Sequence, residues 1–242
     1  MKAKALMICL FVLSLTAINF AQSVTVTPKK IVYKRPKPID EYKKSFVVIY
    51  PKVKAATPAL SKKIETAISY EKNTDLNIKD EMSENQWLEI ASYKVDYNKN
   101  GILEITLSAE GMAAYPSLFD TIVIVNLKTG NRVRAVDVFT NLDRLAAKGR
   151  KAQQAEIKKA NADYKKNPET ADYDASMYFD EAEFTVKELD DFAISDRGVT
   201  FIYDYGFAHV AEVLQPKGRY FFTWAEMKPF VKNGGLFGKF IR

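Results

Sequence analysis

The pattern of apolar and polar positions is most informative between Leu118 and Phe139. Residues 119–127 are rich in β-branched and aromatic side chains, residues 128–131 contain Gly130 and Asn131, and extended character resumes over 133–139. Two such runs joined by a Gly/Asn turn predict a β-hairpin. The uninterrupted apolar run 122–125 favours a strand covered on both faces, so we place it in the middle of the sheet.

Other segments have the same extended character. Residues 45–51 are an apolar run ended by Pro51, and the runs 87–97 and 102–108 flank the turn 98–101, whose Asn and Gly residues accept positive φ. The runs 191–195 and 199–205 flank a second turn, and a short run covers 219–222. The pattern predicts a strand at each position and an irregular loop at 110–117.

Helical patterns separate these strands. Thr57 and Pro58 suit the start of a helix, residues 141–166 have the Ala, Lys, Gln and Glu composition of an exposed helix, and Thr223 and Glu226 form a capping-box pattern ahead of a helix over 224–232. Together the elements predict an α+β fold. We expect one domain over 45–232, with an antiparallel sheet of about six or seven strands and helices on one face.

The N-terminal residues indicate export. Residues 1–21 combine Lys2 and Lys4 with an uncharged apolar core and end at Ala21, which is typical of a secretory signal peptide, with an uncleaved anchor as the alternative. We interpret 22–44 as a basic, proline-containing linker and 233–242 as a tail. The single cysteine, Cys9, falls in the signal segment, so the mature chain is expected to fold without disulfides. It is then expected to be periplasmic or extracellular, without a transmembrane segment.

Charge adds little about the partner. Removing Lys2 and Lys4 from the formal net charge of +6 leaves a mildly basic chain of +4. That excess is too small to argue for nucleic acid, which export also disfavours.

Catalytic and metal motifs are sparse. His209 is the single histidine, and no Gly-x-Ser-x-Gly elbow accompanies it, so a Ser-His-Asp hydrolase is disfavoured. One imidazole and no mature-chain thiolate disfavour zinc, and the acidic residues lack the spacing of a calcium loop, so we predict no metal and no cofactor. A glycosidase requires only two carboxylates, and the sequence offers many without nominating a pair.

Two successive segments carry opposite charge. The helix 141–166 is basic, whereas 169–191 is dominated by acids with tyrosines between them. The two segments either neutralise each other or present separate surfaces. If the surfaces are separate, acids and aromatics together suit a cationic protein partner. The candidate binding residues are then Asp172, Tyr173, Asp174, Tyr178, Phe179, Asp180 and Glu181.

The order of elements resembles a known family, domain of unknown function 3298 (DUF3298). The resemblance rests on the hairpin ending in Leu-Lys-Thr-Gly at 127–130, the Asp-Val-Phe at 137–139, the Asp-Arg-Gly-Val-Thr-Phe at 196–201 and the Thr-Trp-Ala-Glu-Met at 223–227. In the family, this domain forms the extracytoplasmic part of RsiV-type anti-sigma factors, which bind lysozyme, and accompanies polysaccharide deacetylase domains. The loop 110–116 keeps a glycine and a proline but lacks the histidine usual there in the family.

These observations predict an exported, non-enzymatic envelope binding module. The resemblance implies a lysozyme-like protein or cell-wall glycan such as peptidoglycan as its partner. Two alternatives remain open: an enzyme that acts on envelope polysaccharide through carboxylates, and a structural envelope protein. A binding module predicts an acidic, tyrosine-bearing surface, whereas an enzyme predicts a cleft with facing carboxylates of different pKa.

Overall fold

The computed structural model describes residues 23–40, 42–74, 76–83, 85–112 and 115–242. The predicted signal peptide, 1–21, lies outside the described residues. Within them, no helix has the length and apolar character needed to cross a membrane.

The elements alternate along the chain, with most strands preceding the long helix. The strands are β1 (Thr25–Lys34), β2 (Ser45–Lys54), β3 (Leu88–Lys99), β4 (Ile102–Met112), β5 (Pro116–Asn126), β6 (Asn131–Arg132), β7 (Phe192–Ile194), β8 (Gly198–Ile202) and β9 (Arg219–Thr223). The α-helices are α1 (Pro58–Ala67), α2 (Tyr70–Asn73), α3 (Ile78–Glu81), α4 (Ala135–Val138), α5 (Leu142–Lys166), α6 (Ser176–Phe179) and α7 (Trp224–Met227). Short 3₁₀ helices cover Lys187–Asp190, His209–Leu214 and Gly238–Ile241.

The strands form two sheets. The larger has six strands in the order β1-β2-β3-β4-β5-β6, and the smaller has three in the order β7-β8-β9. All pairings are antiparallel except that between β2 and β3, which is parallel because α1, α2 and α3 provide the crossover. The predicted α+β class is confirmed, with the strands divided between two sheets.

The two faces of the larger sheet carry separate cores. On one face, Ile64 of α1 and Ile68 at its C-terminal end pack with Val48, Ile105 and Val123. On the other, Ile102 and Ile124 pack with aromatic residues of the smaller sheet and its flanking segments, including Phe139, Phe192 and Phe201. Layers therefore cover both faces of the larger sheet, whereas the sequence predicted helices on one face.

The N-terminal segment differs from the predicted linker. Thr25–Lys34 pairs with β2 along its whole length and forms the outer strand of the sheet. Lysines and a proline are tolerated at a sheet edge because they discourage pairing with another chain, so the same composition suits an edge strand as well as a linker.

Arg35 fixes this segment to the domain. Its buried guanidinium donates to the carbonyl of Leu88 at 2.9 Å and to the carboxylate of Glu81 at 3.2 Å, and it lies 4.8 Å from the centre of the Phe46 ring. Glu81 also accepts from the backbone N–H of Leu88 at 2.9 Å. Burial raises the pKa of Glu81, and the Leu88 N–H and the Arg35 charge oppose that shift.

The central hairpin is confirmed only in its first strand. In β5, Val123 and Val125 face one core while Ile122 and Ile124 face the other, as the apolar run predicts. The return strand is only the two-residue β6, so β5 lies near the sheet edge and not in its middle. The chain then turns into α4, where the Asp137 carboxylate accepts from the N–H of Arg134 at 2.8 Å and favours the helical turn.

Other boundaries are largely as predicted. Thr57 caps α1 by accepting from the N–H of Leu60 at 3.1 Å, and α5 matches the predicted long helix. The capping box before α7 is present, although that helix ends at Met227. The loop predicted at 110–117 is instead mostly strand, because β4 continues to Met112 and β5 starts at Pro116.

The predicted C-terminal tail folds back onto the domain. Phe237 is fully buried, and the Phe240 ring stacks on Trp224 with their centres 4.4 Å apart. Aromatic packing of this kind fixes the segment to the core around α7.

Candidate functional site

The aromatic residues of the predicted binding segment are held inward. Phe179 is buried, and the Tyr178 ring stacks on Phe207 with a centre-to-centre distance of 4.0 Å. Tyr173 packs edge-on against Tyr164 of α5 at 5.6 Å. These rings belong to a small cluster that fixes the segment 172–181 against α5 and the residues around Phe207.

The acids of the same segment lie on the surface. Asp172, Asp174, Asp180 and Glu181 are all exposed. Asp174 accepts from the N–H of Ser176 at 2.9 Å, and this hydrogen bond lowers the pKa of its carboxyl. The seven predicted residues thus divide into an inner aromatic layer and an outer row of acids, and their role in binding stays a prediction.

Sequence reasoning missed an exposed apolar surface near this segment. At the end of the β4–β5 hairpin, Leu118 is 63% exposed and Tyr115 is 58% exposed. The 3₁₀ turn that covers His209–Leu214 carries Val210, which is 88% exposed, and Val213, which is 90% exposed. The two parts meet because the Tyr115 ring stacks on His209 at 4.8 Å. Apolar side chains exposed in this way mark interaction sites more often than isolated surface residues do.

The apolar surface and the predicted acids are neighbours. Tyr178 accepts a hydrogen bond from the N–H of Ala208 at 3.2 Å, which places α6 beside the turn that carries His209. We call the described residues of 110–118, 172–181 and 206–214 the acidic end. None of these three segments contains lysine or arginine, and the acids they contribute are Glu110, Asp172, Asp174, Asp180, Glu181 and Glu212.

His209 lies on the surface of the acidic end. Its Nδ1 lies 3.2 Å from the carboxylate of Glu212, three residues along the same turn, and the imidazole is exposed. Its contacts are therefore those of a surface residue that packs on Tyr115.

The basic helix and the acidic segment largely present separate surfaces. Among the described residues, α5 forms ion pairs through Arg150 with Glu183 at 2.8 Å and through Lys148 with Glu226 at 3.2 Å. Only the first of these reaches the acidic segment. This arrangement favours separate surfaces over mutual neutralisation.

A polar cleft of about 550 Å³ lies between the two sheets. We call it the intersheet cleft. Its floor comes from β3, β4 and β5 of the larger sheet, and its opposite wall comes from the smaller sheet and the residues that follow β8. The polar and charged residues that line it are Lys94, Asp96, Glu104, Thr106, Ser108, Asp120, Thr121, Asp191, Asp204 and Arg219.

Strand register assembles the floor. Ser108 of β4 pairs directly with Asp120 of β5, and the Ser108 hydroxyl donates to the Asp120 carboxylate at 2.6 Å. Asp96 lies at an irregularity in β3 between Val95 and Tyr97, and accepts from the Thr106 hydroxyl at 2.6 Å. A bulge re-aims a side chain, which explains how Asp96 comes to line the cleft.

Glu104 is the most perturbed carboxyl of the cleft. It is 3% exposed, and its Oε2 accepts from the N–H of Ile194 at 2.6 Å, which ties the larger sheet to β7. Burial raises the pKa of Glu104 to about 7, the neighbouring Asp96 charge adds to the rise, and the Ile194 hydrogen bond opposes it. Partial desolvation raises the pKa of Asp191, an exposed residue of the opposite wall, whereas Arg132 lowers it.

No sequence motif nominates these carboxylates. Asp96, Glu104 and Asp120 are separated along the chain and are brought together only by strand pairing. The available signal was weak: single polar residues within otherwise apolar strands, such as Glu104 between Leu103 and Ile105. Among the described residues, no group of three or more His, Cys, Asp and Glu side chains is arranged to hold a metal ion.

Comparison with known proteins places the fold. No protein-family model and no curated protein matches the sequence. A DUF3298 family member from Bacteroides fragilis, known from its crystal structure, aligns with a TM-score of 0.53 at 12% identity, covering 89% of this chain and 98% of that one. A DUF3298 family protein from Pseudomonas aeruginosa aligns with a TM-score of 0.49 at 15% identity, covering 87% and 94%. The chain therefore has the fold of a DUF3298 domain, in agreement with the resemblance carried by its sequence.

Proposed function

We propose that this chain is an exported, non-enzymatic binding module of the cell envelope that docks a cationic, lysozyme-like protein at its acidic end. The observation that carries the proposal is the exposed apolar surface of Tyr115, Leu118, Val210 and Val213 beside segments that contain acids but neither lysine nor arginine.

Both components of this surface suit a protein partner. Exposed apolar side chains supply area that is removed from water on association, and an exposed tyrosine in such a surface is a common anchor. The surrounding acids steer a cationic partner and disfavour an acidic one. The family resemblance in the sequence also implies a lysozyme-type partner.

The rings of the acidic end pre-organise the surface. Tyr178 stacks on Phe207, and Tyr115 stacks on His209, so the segments that carry the acids and the valines are fixed before a partner arrives. Fewer side chains then have to be ordered on binding, which reduces the entropic cost.

The test is a calorimetric titration of the chain from Gln22 onward with a lysozyme, at low and at moderate salt. We expect saturable one-to-one binding that weakens as salt rises. Replacing Leu118 with serine should weaken it by about tenfold, because an apolar contact of about 1.4 kcal/mol is lost. Neutralising Asp172, Asp174, Asp180 and Glu181 together should reduce the salt dependence.

Val136→Ser is the matched control for the apolar change. Val136 is an exposed valine of α4, outside the acidic end, so its replacement should leave the affinity unchanged. Equal losses in the Leu118 and Val136 variants would contradict a specific site. Absence of binding at both salt concentrations would overturn the lysozyme-like partner.

A further inference from the structure

The intersheet cleft adjoins the acidic end. On β5, Leu118 and Asp120 are two residues apart and lie on the same face, so the apolar surface continues into the floor of the cleft. On the opposite wall, Asp204 accepts from the N–H of Gly206, the first residue of the segment 206–214, at 2.9 Å. A protein bound at the acidic end would therefore reach the mouth of the cleft.

Two floor carboxylates are fixed in position by hydroxyl groups. Asp96 accepts from Thr106 through Oδ2 and pairs with Lys94 through Oδ1, both at 2.6 Å. Asp120 accepts from Ser108 through Oδ1, and within the described residues no hydrogen bond reaches its Oδ2. An acceptor oxygen is thus available in a site whose geometry is already set.

Glu104 offers a second available oxygen at the base of the cleft. Its side chain is more than nine-tenths buried, yet only Oε2 has a partner, the N–H of Ile194. Among the described residues, Oε1 receives no hydrogen bond. This oxygen is not one of the fully buried polar atoms that lack a partner, so it is open to the cleft, where a ligand cation can pair with it.

The charge of the lining favours a cation over a neutral ligand. Five carboxyl groups line the cleft, against the two basic groups Lys94 and Arg219. Lys94 is already paired with Asp96. A neutral sugar would gain hydrogen bonds there, but an ammonium or guanidinium group would gain both hydrogen bonds and the attraction of the unpaired carboxylates.

We propose that the intersheet cleft receives a lysine or arginine side chain projecting from the protein that docks at the acidic end. This inference rests on the proposed function and names the group that the partner inserts. Glu104, Asp120 and Asp191 are the carboxyls available to contact it.

Glu104 makes this contact sensitive to pH. The groups that face or adjoin it are Lys94 and Asp96 of β3, Asp120 of β5, Asp191 just before β7, and Asp204 and Arg219 at the wall. Because Glu104 is protonated below about pH 7, a cation gains its full attraction only above that value. Affinity for a cation should therefore rise, by about tenfold, between about pH 6 and about pH 8.

The test uses N-acetylarginine amide as the probe, titrated into the isotope-labelled chain from Gln22 onward and followed by NMR. We expect saturable shifts of cleft amides such as Ile194, with tighter binding at the higher pH. Glu104→Gln should remove the pH dependence, and Asp120→Asn should weaken binding at both pH values. Asp163→Asn is the control, because it also removes one carboxylate but at an exposed position of α5.

The outcomes separate the two proposals because the probe needs no partner protein. Cleft shifts with the expected pH dependence support the inference even if lysozyme fails to bind. Shifts confined to surface acids, or a pH dependence that survives in the Glu104 variant, would overturn it. Binding of a chitin trisaccharide in preference to the arginine probe would also overturn it and favour a glycan ligand. Release of reducing ends from peptidoglycan would overturn it and favour the carboxylate enzyme.

Discussion

At the residue scale, two buried carboxyl groups have different roles because their partners differ. Glu81 lies against the guanidinium of Arg35 and accepts from a backbone N–H, and both oppose the pKa rise that burial causes. Glu104 accepts a hydrogen bond from the N–H of Ile194, and among the described residues no cation lies within salt-bridge distance of it. Burial therefore dominates, and the pKa of Glu104 rises to about 7. The first arrangement stabilises structure, whereas the second leaves an oxygen for a ligand.

Glu104 should make stability fall as pH rises. Its pKa is about 7 in the folded chain against an ordinary value of 4.5, so the folded state holds the proton over the interval between these values. The free energy of unfolding should therefore decrease by about 3 kcal/mol between about pH 4.5 and about pH 7 and stay level above it, as far as this group contributes.

Urea denaturation across that interval, compared between the native chain and Glu104→Gln, measures this contribution. The glutamine keeps an acceptor for the Ile194 N–H but cannot ionise, so its curve should lack the Glu104 part of the slope. Asp163→Asn should reproduce the native slope. Identical slopes in the native chain and the Glu104 variant would contradict the raised pKa.

At the element scale, helix α5 is set by its contacts as well as its composition. Its exposed face follows the alanine- and lysine-rich pattern, but Gly149 lies buried where a Cβ would come within 2.6 Å of the Phe184 ring. Glycine is otherwise unfavourable inside a helix. Its presence is explained by the close approach of the segment around Phe184 to the helix backbone.

Gly149→Ala should therefore destabilise the protein, although helix propensity alone predicts a gain of about 1 kcal/mol. Phe184 is fully buried and cannot move aside easily, so overpacking should cost about 1–3 kcal/mol and leave a net loss. Thermal denaturation followed by circular dichroism measures the change. Ala162→Gly, on the exposed side of α5, is the control for helix propensity and should lower the free energy of unfolding by about 1 kcal/mol. A stabilised Gly149→Ala variant would contradict the prediction, because it would show that the Phe184 side chain can move aside.

At the scale of the whole molecule, two hydrophobic cores lie on opposite faces of the larger sheet. Segments near both ends of the described chain contribute aromatic residues to these cores. Tyr33 of β1 stacks on Phe46 of β2 with ring centres 5.1 Å apart, and Phe237 near the C terminus packs against Phe139 at 5.7 Å. Lys99 of the larger sheet pairs with Asp196, in the turn between β7 and β8, at 2.6 Å, although that pair is exposed and contributes little to stability.

Removal of the residues before Tyr42 should destabilise the whole domain. The truncated chain would lose β1 and Arg35, exposing the edge of β2 and leaving Glu81 buried without its cation. We expect a loss of about 3–5 kcal/mol from the unpaired charge alone, seen as a lower denaturation midpoint and self-association on gel filtration.

Arg35→Met separates the two contributions, since it keeps β1 and removes the guanidinium with its charge and hydrogen bonds. It should lose stability without the self-association of the truncated chain. If 22–44 were a linker, as its composition suggested, truncation would leave the denaturation midpoint unchanged.

The sequence by itself determined those elements that depend on residues close together in the chain. The cap at Thr57, the long helix after Asn141, the capping box of Thr223 and the two-sided apolar run in β5 depend on neighbouring residues, and each is present in the structure. The α+β class follows from the order of these elements, and so does the resemblance to DUF3298 domains.

Only the tertiary structure decided which distant residues meet. An edge strand and a linker share one composition, so β1 became visible only through its pairing with β2. The intersheet cleft depends on strand register and on a bulge at Asp96, and the acidic end depends on the stacking of Tyr115 on His209. Such contacts join residues far apart in sequence, and no local pattern of side chains encodes them.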